Sequence, residues 1–107
     1  MSGKEYRVFM ATSAHRRYKK FDPALQDRIK DESKKLSKDP HRYEELKGPL
    51  RGIRSYHFKY SKTQYRIAYR ILDQKKEIEI LLIKSRENFY HGLRRIIKMN
   101  SWDNNLA

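Results

Sequence analysis

A chain of 107 residues with 26 Lys and Arg against 13 Asp and Glu, a net charge of +13, has room for one domain with a modest core and is biased toward anionic partners. It has no cysteine, which excludes disulfides, thiolate metal sites and thiol catalysis, and its four histidines (His15, His41, His57, His91) lack ligand spacing, so neither a metal nor a cofactor is expected. The opening Met1-Ser2-Gly3-Lys4-Glu5 lacks the apolar run of a signal peptide and nothing approaches the roughly 20 apolar residues that cross a bilayer, so the expectation is a soluble cytoplasmic protein with no membrane partner.

Charged residues (36%) nearly equal hydrophobic ones (37%), yet the apolar positions are periodic, which predicts a folded chain. Tyr6, Val8 and Met10 alternate with Arg7 and Phe9, so a first strand is predicted over residues 5–10. Residues 13–38 read as a helical hairpin. Ser13 is the candidate cap of its first arm, and Ala14, Tyr18 and Phe21 share a face. Asp22-Pro23 restarts the helix, because Asp caps and proline has no N–H to leave unpaired at the first position. Leu25, Ile29 and Leu36 form its apolar seam, and Asp39-Pro40 ends it. The helix cations Arg16, Arg17, Lys19, Lys20, Lys34 and Lys35 read as a solvated face.

Residues 41–51, followed by Gly52, read as a loop. From Ile53 alternation resumes, with Arg54, Tyr56, Phe58 and Tyr60 on one face and Ile53, Ser55, His57 and Lys59 on the other. Ser61-Lys62-Thr63-Gln64 is the expected hairpin connection. The next strand, about 65–72, puts Tyr65, Ile67, Tyr69 and Ile71 opposite Arg66, Ala68 and Arg70. Asp73-Gln74-Lys75-Lys76 turns the chain. Residues 77–85 form a strand with Ile78, Ile80 and Leu82 against Leu81 and Ile83, apolar on both faces and therefore central. A last helix over 88–99 carries Phe89, Leu93, Ile96 and Ile97, and residues 99–107 are a polar tail. The fold class is α+β: a small antiparallel sheet of the N-terminal strand and a three-stranded meander, an N-terminal helical hairpin and a C-terminal helix, in a single domain spanning 1–107 with its core at about 5–98.

With that element order in place, the chain resembles the RelE/ParE superfamily of toxins from type II toxin–antitoxin pairs. The resemblance is carried by Leu46-Lys47-Gly48 before the second long strand, Tyr65-Arg66-Ile67-Ala68-Tyr69 in the next, and Arg86 followed by Tyr90. Within the superfamily the chain looks like the RelE branch, which cuts messenger RNA in the ribosomal A site. The resemblance implies Lys59 as general base, Arg66 at the phosphate, Arg86 as general acid or leaving-group stabiliser and Tyr90 stacked on a base. It also implies that Lys47 holds the RNA. Arg51, Arg54 and Lys84 are the further cations expected along the RNA path. His57 stands where well-known members carry a second lysine, and the Arg86-to-Tyr90 spacing is shorter than in some.

Metal-independent cleavage of RNA needs a group to take the 2′-hydroxyl proton, a group to steady the charge on phosphorus, and a group to help the 5′-oxygen leave. Arginine suits the second role because its planar fork matches phosphate oxygens. Histidine suits acid–base work near neutrality, so His57 is a candidate to share proton transfer with Lys59. The implied partners are messenger RNA, the ribosome and its RNA, and a cognate antitoxin. Two other functions fit a basic domain of this size: a ParE-like inhibitor of DNA gyrase, and a non-catalytic RNA-binding domain. Plainer roles for the same residues are Arg66 paired with Glu77 or Glu79 across the sheet, and Tyr90 packed in the core.

Overall fold

The computed structural model describes residues 5–86 and 89–99, with side chains up to Arg95. Its strands are β1 (Arg7–Met10), β2 (Glu44–Glu45), β3 (Arg54–Tyr60), β4 (Thr63–Leu72) and β5 (Glu77–Ser85). Its helices are α1 (Thr12–Tyr18), α2 (Pro23–Lys38) and α3 (Phe89–Met99). The strands form one sheet in the order β1-β5-β4-β3-β2. The expected meander is β3-β4-β5, and β5 lies inside the sheet as its apolar faces require.

The α+β class holds, but the sheet is mixed rather than antiparallel. β1 runs parallel to β5, with Arg7 opposite Glu77 and Met10 opposite Ile80. The helical hairpin after β1 carries the chain back along the sheet, so the strand and its later partner point the same way. The segment expected as a plain loop also contributes a strand. Glu44 and Glu45 pair with Ser55 and Arg54, and the ladder extends through the Leu46 N–H to the Ile53 carbonyl at 2.8 Å.

Both helices of the hairpin cover one face. Asp22 caps α2 as expected, its Oδ1 accepting from the Leu25 N–H at 2.8 Å. Ser13 does not cap α1: Ala11 is the boundary residue, and no side chain bonds there. Leu25, Ile29 and Leu36 are buried against Tyr56, Phe58, Ile67, Tyr69, Ile78 and Ile80. Each such aliphatic side chain contributes on the order of 2 kcal/mol. A charged residue, Glu32, is buried along the same helix; it accepts from the Tyr56 hydroxyl and pairs with Arg28 at 2.7 Å. Burial works to raise the Glu32 pKa, but hydrogen bonds from Tyr56 and Arg28, with the Lys35 charge beside them, hold it below the usual carboxylate value.

The second face carries a smaller cluster of Leu46, Leu50, Ile53, Ala68, Leu81, Leu82, Phe89 and Leu93 under α3. Leu81 and Leu82 both belong to it because β5 gains one residue relative to β4: Ala68 pairs with Leu82 but Tyr69 pairs with Ile80. This bulge corrects the expected alternation. Leu82 lies with Leu81, and Ile83 joins Ile78 and Ile80 on the other face. In α3, Phe89 and Leu93 are buried as expected, whereas the start at Asn88, the side chains of Ile96 and Ile97, and residues 100–107 lie outside the described residues. No described helix is long and apolar enough to cross a membrane.

Candidate nucleic-acid interface

The second face is only partly covered. α3 and the 46–53 segment close over its middle, and toward the β3–β4 hairpin the strands lie open. His57 of β3, Arg66 of β4 and Lys84 of β5 come together there. His57 is directly opposite Arg66, and Arg66 is directly opposite Lys84. Three basic side chains from three adjacent strands therefore share one rung, and among the described residues none of them has a carboxylate within ion-pairing distance.

The bulge in β5 is what completes the rung. Unbroken pairing from Tyr69–Ile80 would set Arg66 against Ile83 and turn Lys84 to the helix-covered face. The inserted residue reverses the parity beyond it. Lys84 is half-buried, and α3 passes above it at Gly92, where an added Cβ would lie 3.7 Å from the Lys84 Nζ.

Arg66 is held from the other direction by α3. Its guanidinium carbon lies 5.7 Å from the Phe89 ring centre and 5.6 Å from that of Tyr90. Its Nη1 donates to the Tyr90 hydroxyl at 2.9 Å, and its Nε is buried with no hydrogen-bond partner among the described residues. Arg66 does not pair with Glu77 or Glu79; Arg7 and Arg70 take those carboxylates. Tyr90 is 40% exposed, so it is not core packing, and its ring offers a surface beside the guanidinium. Phe89 was expected only in the apolar stripe. Its second role, flooring Arg66, depends on where α3 lands, and only the aromatic pair following Arg86 hints at it.

His57 has its pKa lowered, first by partial desolvation and then by the Arg66 charge, against a smaller opposing pull from Glu44. It is therefore neutral at pH 7 and able to accept a proton. Lys59 is exposed one rung outward, opposite Gln64. Arg86 is exposed, and its N–H donates to the Gln64 carbonyl at 2.9 Å, which ties it to the start of β4. Of the other RNA-path residues, Lys47 and Arg51 are exposed on the segment whose Leu46 and Leu50 enter the second-face cluster. Gly48 and Gly52 there adopt φ of +65° and +94°, which other residues tolerate poorly.

Arg54 is not brought to this surface. It opens β3 on the opposite face, opposite Tyr69, and its Nη1 donates to the His41 and Tyr43 carbonyls at 3.0 and 2.7 Å. Together with the Tyr69 hydroxyl on the Pro40 carbonyl, it fastens residues 40–45 to the sheet. Its alternation with Tyr56 and Phe58 foretold the opposite face. Among the described residues no three His, Asp or Glu side chains gather as a metal site would require.

This surface combines a neutral imidazole, an arginine fork with a lysine opposite it, and an exposed aromatic ring. Chemically it can bind a phosphodiester, stabilise added charge on it and accept a proton beside it.

Comparison with known proteins agrees with the fold. The family model described as "ParE-like toxin of type II bacterial toxin-antitoxin system" matches residues 8–94. Among solved structures, the toxin–antitoxin complex RelBE2 from Mycobacterium tuberculosis is 28% identical, with a TM-score of 0.68, covering 77% of this chain and 99% of that one. The isolated RelE toxin of E. coli is 21% identical, with a TM-score of 0.59 and coverage of 85% and 98%. The archaeal RelE–RelB complex from Pyrococcus horikoshii is 21% identical, with a TM-score of 0.56 and coverage of 78% and 97%. No curated protein matches the sequence. With the family match running from β1 into α3, the chain belongs to the ParE-like toxins of type II bacterial toxin–antitoxin systems.

Proposed function

We propose that this toxin is an endoribonuclease that stops translation by cutting messenger RNA in the ribosomal A site. The observation that carries the reading is the His57–Arg66–Lys84 rung, in which an arginine whose fork is held by an exposed tyrosine lies opposite a cation on one side and a neutral imidazole on the other. Like charges directly opposite destabilise a sheet, so the arrangement is better suited to a bound polyanion than to the empty fold.

In the proposed reaction the 2′-hydroxyl oxygen attacks the adjacent phosphorus while its proton passes to His57 or Lys59. Arg66 and Lys84 stabilise the extra negative charge of the five-coordinate phosphorus. The bond to the 5′-oxygen then breaks while Arg86 stabilises the charge on the leaving oxygen; that oxygen takes a proton from water, the base gives its proton back to solvent, and the products are a 2′,3′-cyclic phosphate and a 5′-hydroxyl. Tyr90 leaves its hydrogen bond with Arg66 and stacks on a base. The ribosome would hold the strand, so cleavage of free RNA is expected to be weak. Lys47 and Arg51 would contact its RNA.

An antitoxin partner follows from family membership and from the RelB-type complexes among the structural neighbours. An acidic antitoxin with apolar anchors suits the β1 edge. There Phe9 is 41% exposed, and an open groove of about 390 Å³ lies between Val8, Phe9 and Met10 and the α2 residues Lys30, Ser33, Lys34 and Ser37.

The test is primer extension on a defined message translated with and without the purified toxin. New 5′ ends within the A-site codon, absent with Arg66→Ala and Arg86→Ala, are the expected result. A second reading, a toxin that inhibits DNA gyrase without chemistry, is favoured by the ParE-like description of the family. It would be indicated by no new ends together with inhibition of supercoiling in a purified gyrase assay.

A further inference from the structure

The β3–β4 hairpin closes through Ser61 and Lys62, both at positive φ, +52° and +64°, the pattern of a two-residue type I′ turn. Glycine or asparagine is the natural occupant of such positions. A lysine held there carries strain of about 1 kcal/mol or more. Immediately beyond the turn is an open groove of about 520 Å³ lined by Lys62, Thr63, Gln64, Ser85 and Arg86. Its lining offers two cations, two hydroxyls and an amide, and no carboxylate. The Arg86 N–H bond to Gln64 forms its floor, and Lys59 lies opposite Gln64 on the adjoining rung. Gln64 is one rung out from Arg66 on the same strand face, so the groove continues the surface of the cationic rung by about 7 Å.

We propose that this groove is a second phosphate subsite, in which Lys62, with the Thr63 and Ser85 hydroxyls and Arg86, grips the RNA backbone next to the phosphodiester held at Arg66. The proposal rests on the RNA-cleaving reading and adds Lys62 as a positioning residue. A lysine at the strained corner of the turn projects its ammonium from the hairpin tip, and the binding energy of a phosphate compensates what the turn loses in the free protein. Lys76 provides an internal comparison. It also sits at a left-handed turn position, φ +57°, but at the far end of the sheet, where its ammonium lies 5.1 Å from the Tyr6 ring centre. That packing accounts for Lys76; among the described residues no ring or carboxylate contact accounts for Lys62 in the same way.

The test uses the full chain and a 2′-O-methyl RNA oligonucleotide of about 10 nucleotides, which binds but lacks the nucleophile for cleavage. Affinity is measured against salt concentration for the wild type, Lys62→Gly, Lys62→Arg and Lys76→Gly. Lys62→Gly is expected to melt at or above the wild-type temperature, because glycine suits the turn. It should bind roughly 3- to 10-fold more weakly at low salt and reduce the logarithmic salt slope by about 0.7, one phosphate contact on a single strand. Lys62→Arg should restore both, and Lys76→Gly should keep the wild-type slope. Wild-type affinity and slope in Lys62→Gly would overturn the subsite while leaving the RNA reading intact. An equal loss in Lys76→Gly would overturn it in favour of a general field of positive charge. A loss confined to binding an acidic antitoxin peptide would reassign the groove to protein recognition. Failure of the wild type to bind the oligonucleotide even at low salt would overturn the subsite, and the RNA-cleaving reading would then stand or fall on primer extension alone.

Discussion

At one end of β4 and β5, Arg70 lies across from Glu79 and closes a 2.6 Å ion pair; two rungs along the same face, Arg66 lies across from Lys84. At the Arg70 end most of the strand and loop cations meet a carboxylate, although Lys75 and Lys76 of the turn form no ion pair among the described residues. Arg7 pairs with Glu77 at 2.7 Å, His41 with Asp73 at 3.1 Å, and Arg54 meets Glu45 at 3.6 Å. At the hairpin end His57, Lys59, Lys62, Arg66, Lys84 and Arg86 have no ion-paired carboxylate among the described residues. The same two strands thus supply acids where only the fold must be satisfied and withhold them where a ligand's charge is to be met. Net charge alone could not separate these ends, because it counts both equally.

The largest effect should come from removing the fork at the centre of the unpaired end. Arg66→Ala is expected to lower the rate of A-site cleavage by about 10²- to 10³-fold, the usual effect of deleting one preorganised donor to a developing charge. Circular dichroism and ribosome co-sedimentation should match the wild type. Arg66→Lys should recover little, since a point charge cannot replace a bidentate fork resting on Phe89 and Tyr90. Loss of ribosome binding in parallel with cleavage would instead make Arg66 an affinity residue.

His57 comes next, through its pH dependence. Its lowered pKa leaves it neutral at pH 7, so cleavage should be level above the ordinary histidine value of about 6.5 and fall only at lower pH, approaching tenfold per unit. Stability moves in the same sense. Because the folded-state pKa is depressed, the unfolded chain binds the proton more readily; the contribution is complete above the unfolded value and lost as pH falls through the folded one. His57→Gln should remove the acid limb and slow cleavage about 10- to 100-fold. A variant with wild-type rate and profile would assign the proton transfer to Lys59.

Why these residues converge was only partly written in the sequence. That Arg66 joins His57 and Lys59 is set by the register of β3 against β4, but the shared face of those two follows from alternation in β3, since period-2 geometry is local. The caps at Asp22 and the stop at Asp39-Pro40 were legible for the same reason. The bulge at Leu81 was not. An apolar run reads alike with or without an inserted residue, and the parity of Lys84 depends on it. The parallel pairing of β1 and the two-residue β2 were hidden because both are set by partners far along the chain. Arg54 appeared as one more cation near the site. Only the folded loop at residues 40–45 reveals that its fork is committed to two backbone carbonyls.

A smaller effect with opposite signs in two measurements follows from converting one end into the other. Lys84→Glu would give Arg66 the kind of partner that Glu79 gives Arg70. The fold should gain about 0.2–1 kcal/mol, the worth of an opposite-charge pair in place of a repulsive one, seen as a raised melting temperature. Cleavage should fall about tenfold, because the rung then presents a carboxylate to the phosphate. A variant both more stable and equally active would mean that Lys84 serves the packing under Gly92 rather than the RNA.

The smallest change is expected at the paired end. Arg7 is largely exposed on the edge strand, so water screens its charge, although the Glu77 side chain it meets is mostly covered. Arg7→Ala should shift stability by no more than about 0.5 kcal/mol, as for most exposed ion pairs, and leave cleavage unchanged. Its value lies in the contrast with Arg66→Ala, since each removes one positive charge from a β-sheet rung. If charge acted only through the net field of a molecule at +13, lowering that charge by one at Arg7 would weaken RNA cleavage as much as removing one at the hairpin end. If instead the unpaired end is a built site, cleavage should ignore Arg7 altogether, and the salt dependence of RNA binding should keep its wild-type slope.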